Sequence, residues 1–373
     1  MIKSKEINFK LIFCVMILCC FGLVMQYSAS SYNAFKETGD SLFYVKKQLI
    51  AFAVGIVALV CATKVNTEFY KKIKWYLLVV SIILLAIIFI PVLGVEKYGA
   101  RRWLNLGFFT VQPSEFSKFG LMFFLAGYIH NHKLDKIKNL IVPLIATAII
   151  CVLIMLEPNM SITMLVGLSV LIMLVCGGIK GRYLFALALP VMILVIILIF
   201  AEPYRVKRIL AFINPWENAR DEGFQLIQSF YALSGGGVFG VGLFNSRQKY
   251  TFLPFAESDF IFSIIGEELG FVGAVLLILI FIYVVFLGVK IAMNAKDVYS
   301  SLLAVGITSI IACQTLLNVA VVTGSIPPTG LPLPFISNGG SSLVVFMYAV
   351  GVLVRIGKEC NNTHLLFARH KMK

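Results

Sequence analysis

Charge is scarce in this chain, and acidic charge is scarcer still. Asp, Glu, Lys and Arg together make 13% of 373 residues, with 18 acids against 32 bases. A soluble domain carries about 25% charged residues, so this composition excludes water as the main solvent. Histidine is nearly missing: His130, His132, His364 and His370 fall near helix ends or in the tail without metal-ligand spacing, which argues against a zinc site. No Walker A sequence occurs, which disfavours ATP-driven transport by this chain alone. Of the eight cysteines, seven lie inside apolar runs and Cys360 in the C-terminal tail. No pair is therefore placed in an extracytoplasmic loop, where a disulfide would form and persist.

What the chain has in abundance is long apolar sequence. Hydrophobic residues make 60% of it and the mean hydropathy is +0.93. Ten apolar runs recur: Leu11–Tyr27, Leu49–Thr63, Trp75–Leu93, Phe116–Ile129, Ile141–Leu156, Ser161–Cys176, Tyr183–Ala201, Phe260–Phe286, Ser300–Thr323 and Ser341–Val354. A helix of about 20 apolar residues crosses the hydrocarbon layer. The expectation is an all-α polytopic membrane protein: a single domain over 1–373 with about ten transmembrane helices. The first run, preceded by lysines and followed by Ser28-Ala29-Ser30, also has the outline of a signal peptide. Nine further runs make one unnecessary for insertion, so it is read as a helix.

Lysine and arginine mark alternate loops, which sets orientation by the positive-inside rule. Lys3, Lys5 and Lys10 precede the first run, Lys64, Lys71, Lys72 and Lys74 follow the second, and Lys133, Lys136 and Lys138 the fourth. Lys180 and Arg182, Lys290 and Lys296, and the C-terminal cluster from Arg355 to Lys373 continue the pattern. Both termini are expected in the cytoplasm. The net charge of +14 sits largely at these inner ends, where anionic lipid explains it better than nucleic acid does.

Two outer segments break the rule. One, between the third and fourth runs, holds Lys97, Arg101, Arg102 and Trp103 with only Glu96 nearby, which favours an external anion. The other is a long extracytoplasmic loop of about 202–259, between helices seven and eight. It carries Arg205, Lys207, Arg208, Arg220, Arg247 and Lys249 against Glu202, Glu217, Asp221, Glu222, Glu257 and Asp259. Internal ion pairs and an external anion are both open readings there. Gly235, Gly237 and Gly240 match a dinucleotide-binding fingerprint by spacing alone, without the strand or acidic partner that would give it meaning.

Ionisable groups at or inside apolar runs are functional candidates, because burying them is costly without a partner. Glu115 and Lys118 open the fourth helix on one face, as an ion pair or as part of a site. Glu157 lies in the turn between the fifth and sixth helices. Asp259 ends the long loop, and Glu267 and Glu268 lie about 12 to 14 Å further on if a helix starts near it. All fall in the outer halves of their helices. A general base at head-group level, with cations to receive a phosphate, is the chemistry such an arrangement offers.

These residues sit in motifs that resemble the shape, elongation, division and sporulation (SEDS) family. The matching stretches are Arg102-Trp103-Leu104, Gln112-Pro113-Ser114-Glu115-Phe116-Ser117-Lys118, Asn214-Pro215-Trp216, Gly223-Phe224-Gln225 with Gln228-Ser229, and Ser246-Arg247-Gln248-Lys249. They continue with Ser258-Asp259-Phe260-Ile261-Phe262, Glu267-Glu268-Leu269-Gly270 and Gly330-Leu331-Pro332-Leu333-Pro334-Phe335 before Gly339-Gly340-Ser341-Ser342. The order and spacing cover nearly the whole chain. Asn-Pro-Trp, Ser-Arg-Gln-Lys and the short tails are more similar to the division and sporulation branch than to the elongation branch. Two positions depart from the pattern: Asn159 where Asp is usual, and Asn338 where Tyr is usual. Any role needing a carboxylate at Asn159 passes to Glu157.

The resemblance implies a peptidoglycan glycosyltransferase in the bacterial cytoplasmic membrane that polymerises lipid II on the outer face. The growing undecaprenyl-pyrophosphate-linked glycan would be the donor, with a class B penicillin-binding protein and other division or sporulation membrane proteins as partners. Asp259 would be the general base, with a helix N-terminal carboxylate as its plainer reading. Arg102, helped by Lys118 or Arg247, would offset the charge of the leaving pyrophosphate. Trp103 and Gln112 would shape the substrate groove or pack the core, and Glu115, Glu157, Glu267 and Glu268 complete the candidate substrate-binding set. A divalent cation, Mg2+ or Mn2+, is implied without a site. A lipid II flippase, favoured by discontinuous helices or a re-entrant Ile326–Pro334 loop, and a scaffold for the synthase partner are the competing readings.

Overall fold

The computed structural model describes residues 4–371 except Val92, Tyr98, Gly99, Leu106, Phe108, Phe109, Glu222 and Thr251. Lys3, Glu222 and Lys373, three of the charges counted above, lie outside the described residues. Each of the ten apolar runs falls on a helix: α1 (Ser4–Thr38), α2 (Phe43–Lys64), α4 (Lys74–Ile87), α5 (Pro113–Asn131), α6 (Lys138–Leu156), α7 (Met160–Cys176), α8 (Gly181–Phe200), α11 (Ile261–Met293), α12 (Val298–Val322) and α13 (Gly340–Lys371). Three further helices are α3 (Thr67–Lys72), α9 (Pro203–Ile213) and α10 (Phe224–Gly236). Six of the ten, α1, α2, α6, α11, α12 and α13, are by length and composition able to cross a membrane on their own. The molecule is an all-α polytopic membrane protein.

Local signals set the helix ends. Pro113 and Pro203 occupy the first turns of α5 and α9, where a missing N–H costs nothing. Asn66, Asn159 and Asp297 cap α3, α7 and α12 through side-chain oxygens that accept from backbone amides. α5 is buried on nearly its whole circumference among α4, α6, α7, α12 and α13. It can therefore carry Glu115 and Lys118 without exposing either to lipid. α8 is the opposite case: it packs chiefly against α9, and Phe185, Ile197 and Phe200 remain exposed, as on a helix solvated by acyl chains. Leu11, Val15, Leu18 and Met25 of α1 are fully buried, so the first run is an integral part of the bundle.

Three expectations change in detail. The third run overshoots: α4 stops at Ile87, and the chain turns into a three-stranded antiparallel sheet of β1 (Gly94–Lys97), β2 (Ala100–Asn105) and β3 (Thr110–Val111). The long 202–259 loop is largely folded, since α9 and α10 lie inside it and α10 packs on α11. The eighth helix is broken at Gly270, whose φ of +68° is open to glycine at little cost. Carbonyls of Glu267 and Glu268 accept from Val241 and Gly242, while Phe271 and Val272 donate to Gly237 and Val238. A Cβ on Gly240 would collide with the Glu268 carbonyl. The glycine spacing that imitates a dinucleotide fingerprint is thus the close approach that heals a broken helix.

The Pro-rich segment is also irregular where it is buried. Leu331, Leu333, Phe335 and Ile336 are in the core, and a Cβ on Gly22, midway along α1, would meet the Ile336 backbone. Non-helical backbone at that depth is stable only when protein groups satisfy it. Gln314 Nε2 donates to Pro332 O at 2.8 Å and Asn318 Nδ2 to Leu331 O at 2.7 Å. Four residues apart, the two amides lie on one face of α12.

Candidate active site

At the end of the bundle holding the sheet, α9 and α10, three groups of candidate residues assemble separately. The first surrounds Asp259, which is half-buried just ahead of α11. Its backbone carbonyl accepts from Asn318 Nδ2 at 2.8 Å, so one amide ties Asp259 and Leu331 together. Ser258 Oγ donates to Asp259 Oδ1 at 3.0 Å. Ser337 Oγ donates to Ser258 O at 2.6 Å, and Asn338 N donates to Glu257 O at 2.9 Å. A Cβ on Gly330 would stand 3.0 Å from Asp259 Oδ2. The carboxylate is laced to the irregular segment from both sides.

Electrostatics gives this carboxyl a working pKa. Burial pushes it up to about 6, against the pull of the Ser258 hydroxyl and of the Arg102 and Arg208 guanidinium groups. It stays mostly ionised at neutral pH yet is basic enough to accept a proton. Arg102 and Arg101 are neighbours on β2 and point to opposite faces of the sheet. Arg101 meets Glu96 at 3.3 Å. Arg102 Nε donates to Glu157 O at 3.0 Å and its Nη2 to Pro158 O. Burial lowers the Arg102 pKa, opposed by Tyr204, Glu157 and Asp259. Glu157 itself is 1% exposed, and neither carboxyl oxygen has a hydrogen-bond partner among the described residues. Burial pushes it up to about 8, with Arg102 pulling the other way. It is a neutral acid at pH 7.

The second group is an interior ion pair. Lys118 Nζ, fully buried, donates to Glu115 Oε2 and to Gln314 Oε1, each at 2.8 Å, and stands over the Phe346 ring. Ser342 Oγ donates to the same Glu115 oxygen at 2.7 Å. Gln314 links this pair to Pro332, so the first two groups brace one segment. Gln112 precedes α5, its backbone N–H donating to Ser341 Oγ at 3.4 Å, and Trp103 pairs with Val95 across the sheet.

The third group clamps the chain to itself. Glu267 accepts from Ser246 Oγ, Arg247 N and Gln248 N. Glu268 accepts from Ser28 Oγ, from Ser246 N and from Lys249 Nζ, which is 3.1 Å away and buried. Lys249 Nζ also reaches Phe244 O at 2.7 Å. Arg247 is held by its backbone, and its side chain is exposed.

Comparison with known proteins bears on this arrangement directly. Residues 9–362 match the family described as "Cell cycle protein", FtsW/RodA/SpoVE. The stage V sporulation protein E of Bacillus subtilis is 39% identical over 95% of this chain and 98% of its own length. The probable peptidoglycan glycosyltransferase FtsW of Geobacter sulfurreducens is 37% identical over 91% of this chain and 92% of its own. This chain belongs to the FtsW/RodA/SpoVE family.

Solved structures agree with that placement. A chain described under "Structural coordination of polymerization and crosslinking by a peptidoglycan synthase complex" superposes with a TM-score of 0.79 at 25% identity, over 94% of this chain and 98% of that one. The rod shape determining protein RodA of Thermus thermophilus shares the fold at a TM-score of 0.70 and 22% identity, over 94% and 96% of the two chains.

Within the FtsW/RodA/SpoVE fold, the structure brings Arg102, Glu157 and Asp259 together and keeps Glu267, Glu268 and Arg247 in their own clamp. Sequence reasoning gave no role to Arg208, Gln314, Asn318 or Ser28. Arg208 was visible only as one loop cation among several, although Arg205 and Arg208 share the i, i+3 spacing of a helix face. Gln314 and Asn318 carried a signal, being polar groups inside an apolar run. Both departures from the family pattern have local explanations. Asn159 Oδ1 caps α7 by accepting from Ile162 N, and Asn338 contributes a backbone amide that any residue but proline supplies. Among the described residues no three His, Cys, Asp or Glu side chains converge on a metal-sized site.

Proposed function

We propose that this chain is a peptidoglycan glycosyltransferase that polymerises lipid II, with the Asp259 end of the bundle outside the cytoplasm and both termini inside. The observation carrying it is Asp259 itself: a carboxyl held by Ser258 just ahead of α11 and raised to about 6 by burial, within the electrostatic reach of Arg102 and Arg208. Asp259 takes the proton from the 4-hydroxyl of the N-acetylglucosamine of lipid II. The freed oxygen attacks the anomeric carbon at the reducing end of the growing strand. The bond from that carbon to the undecaprenyl diphosphate breaks, and the diphosphate leaves with the electron pair. Arg102 and Arg208 offset the charge that collects on it. The relative named as a probable peptidoglycan glycosyltransferase supports the reaction class.

A divalent cation, magnesium or manganese, enters this scheme as the counter-ion of the substrate's diphosphate. The donor set does not fit a protein-held ion: among the described residues no three His, Cys, Asp or Glu side chains converge, and the cationic Arg102 and Arg208 act on Asp259. No step is routed through it. A class B penicillin-binding protein and other division or sporulation membrane proteins are the proposed partners, in keeping with the peptidoglycan synthase complex whose chain shares this fold.

Two features favour the flippase as a second reading: the break in α11 and the buried irregular segment. In a transporter such breaks leave backbone ends free to line a cavity. Here the 237–242 segment takes the broken ends, and Glu267 and Glu268 each accept three of the chain's own donors. Purified protein with labelled lipid II, with and without the penicillin-binding partner, separates the readings. Polymer on a gel is expected. No polymer, with lipid II crossing the bilayer of reconstituted vesicles, overturns the glycosyltransferase.

A further inference from the structure

Next to Asp259 the same loop walls a cavity that the transfer step does not use. Its volume is about 440 Å3, and it is lined by Asn33, Lys36 and Glu37 of α1 and by Leu253, Pro254 and Phe255. That size suits a small ligand or a few residues of peptide. It is joined to the site by a single turn of chain. Phe255 O accepts from Ser258 N at 3.0 Å and from Phe260 N at 3.4 Å, so the residues on both sides of Asp259 hang from the cavity wall. Glu257, between them, is pushed up by burial and further by Glu37 and Asp259, which places Glu37 within electrostatic reach of that turn.

The lining chooses among ligand chemistries. A diphosphate would meet the Glu37 carboxylate, and a hydrocarbon tail would offer nothing to the polar groups of Asn33, Lys36 and Glu37. A neutral sugar needs neither charge. An ammonium, a carboxylate, backbone amides and small apolar groups together match every wall: Lys36 for the carboxylate, Glu37 for the ammonium, Asn33 for an amide, and Leu253, Pro254 and Phe255 for methyls. Glu37 is already positioned by Tyr44, whose hydroxyl donates to it at 2.6 Å. We propose that this cavity binds the short peptide carried by the lipid-linked sugar whose hydroxyl Asp259 deprotonates; the inference rests on the glycosyltransferase reading. Two anchor points, one at the sugar and one at the peptide, fix which hydroxyl faces the carboxylate.

The test is equilibrium binding to the full chain in nanodiscs, comparing lipid II with the same lipid-linked disaccharide stripped of its peptide. Solvent-exposed ionic contacts of this kind are worth roughly fivefold in affinity, so the stripped ligand is expected to bind roughly fivefold more weakly. Lys36→Ala should bring lipid II down toward the stripped ligand and leave the stripped ligand unchanged, and Lys36→Arg should restore the difference. Acetylating the peptide's amino group should weaken binding to the wild type and not to Glu37→Gln. Equal binding of the two ligands by the wild type, or a difference that survives in the Lys36→Ala, Glu37→Gln double variant, overturns the proposal. Because binding is read and not polymer, a chain that discriminates the ligands but makes no glycan counts against the enzyme reading alone.

Discussion

Two sets of candidate carboxylates differ in how many donors hold them. Glu267 and Glu268 are surrounded by donors from Ser28, Ser246, Arg247, Gln248 and Lys249, which pin the 246–249 segment and α1 to the first half of α11. Asp259, two turns earlier, has one side-chain donor in Ser258 and two nearby guanidinium groups, and Glu157 has no donor among the described residues. A carboxylate held by three donors, or by a buried ammonium as Glu268 is by Lys249, is committed to the fold even though Glu268 Oε2 has no partner among the described residues. An undersaturated one keeps lone pairs and a raised pKa. Motif membership put all four in one candidate list, and counting partners separates those that hold the fold from those free for chemistry.

The contrast predicts opposite phenotypes, and here the largest effect is expected. Asp259→Asn keeps the size of the side chain but cannot take a proton, and loss of a general base removes about 100- to 10,000-fold in rate. Its abundance and thermal stability should stay near wild type. Glu268→Gln should do the reverse, because leaving the buried Lys249 ammonium without its carboxylate costs about 3 kcal/mol or more. The surviving folded fraction should polymerise at a near-normal rate per molecule. Gel-based polymerisation normalised to folded protein, beside thermal unfolding in detergent, reads both. Near-wild-type turnover by Asp259→Asn would break the comparison at its root.

A smaller effect separates the two undersaturated acids. As a base, Asp259 works ionised, so turnover should rise with pH through about 6. The stability linkage has the opposite sign, since a carboxyl raised in the folded state holds its proton longer there than in the unfolded chain. Its contribution therefore falls as pH rises from the ordinary carboxylate range through about 6. Glu157, raised to about 8, is neutral across that range, and Glu157→Gln should change turnover at pH 7 by no more than a few-fold. In the wild type, Glu157 should likewise make stability fall as pH rises from the ordinary carboxylate range through about 8 and level off above it, and the Gln variant should lose that fall. A large loss in Glu157→Gln at pH 7 would move Glu157 into the reaction itself.

Much of this was legible in the residues, for identifiable reasons. Ten apolar runs became ten helices because a helix satisfies its own backbone in hydrocarbon. Arg102 and Asp259 could be linked because cations that break the alternation of basic loops need an anion and both stand in recognisable motifs. The partners of Glu267 and Glu268 were not legible, since Ser28 reaches Glu268 from 240 positions away. The folding of 202–259 was hidden by α9, whose cationic face reads as loop, and by glycines whose purpose appears only beside the break at Gly270. The third helix was overdrawn because Phe89 to Leu93 is apolar, yet turns there into the sheet.

The smallest expected effect concerns Arg247, which shares a motif with the clamp and was a candidate helper for the pyrophosphate. The clamp grips this residue through its amide: Arg247 N donates to Glu267 Oε1 at 2.9 Å, an interaction any residue but proline supplies. Its guanidinium is on the exposed side, and the charges acting on Asp259 are those of Arg102 and Arg208. Arg247→Ala should therefore keep the clamp, with a stability change within about 0.5 kcal/mol, as for surface substitutions generally. Turnover should stay within about twofold, which corresponds to less than about 0.5 kcal/mol of transition-state stabilisation. Arg247→Pro, which removes the amide hydrogen, should be the damaging change, and it should act on stability. If Arg247→Ala instead cut turnover tenfold without lowering thermal stability, the guanidinium would have to reach the leaving diphosphate. The boundary between clamp and reaction centre would then run through this residue.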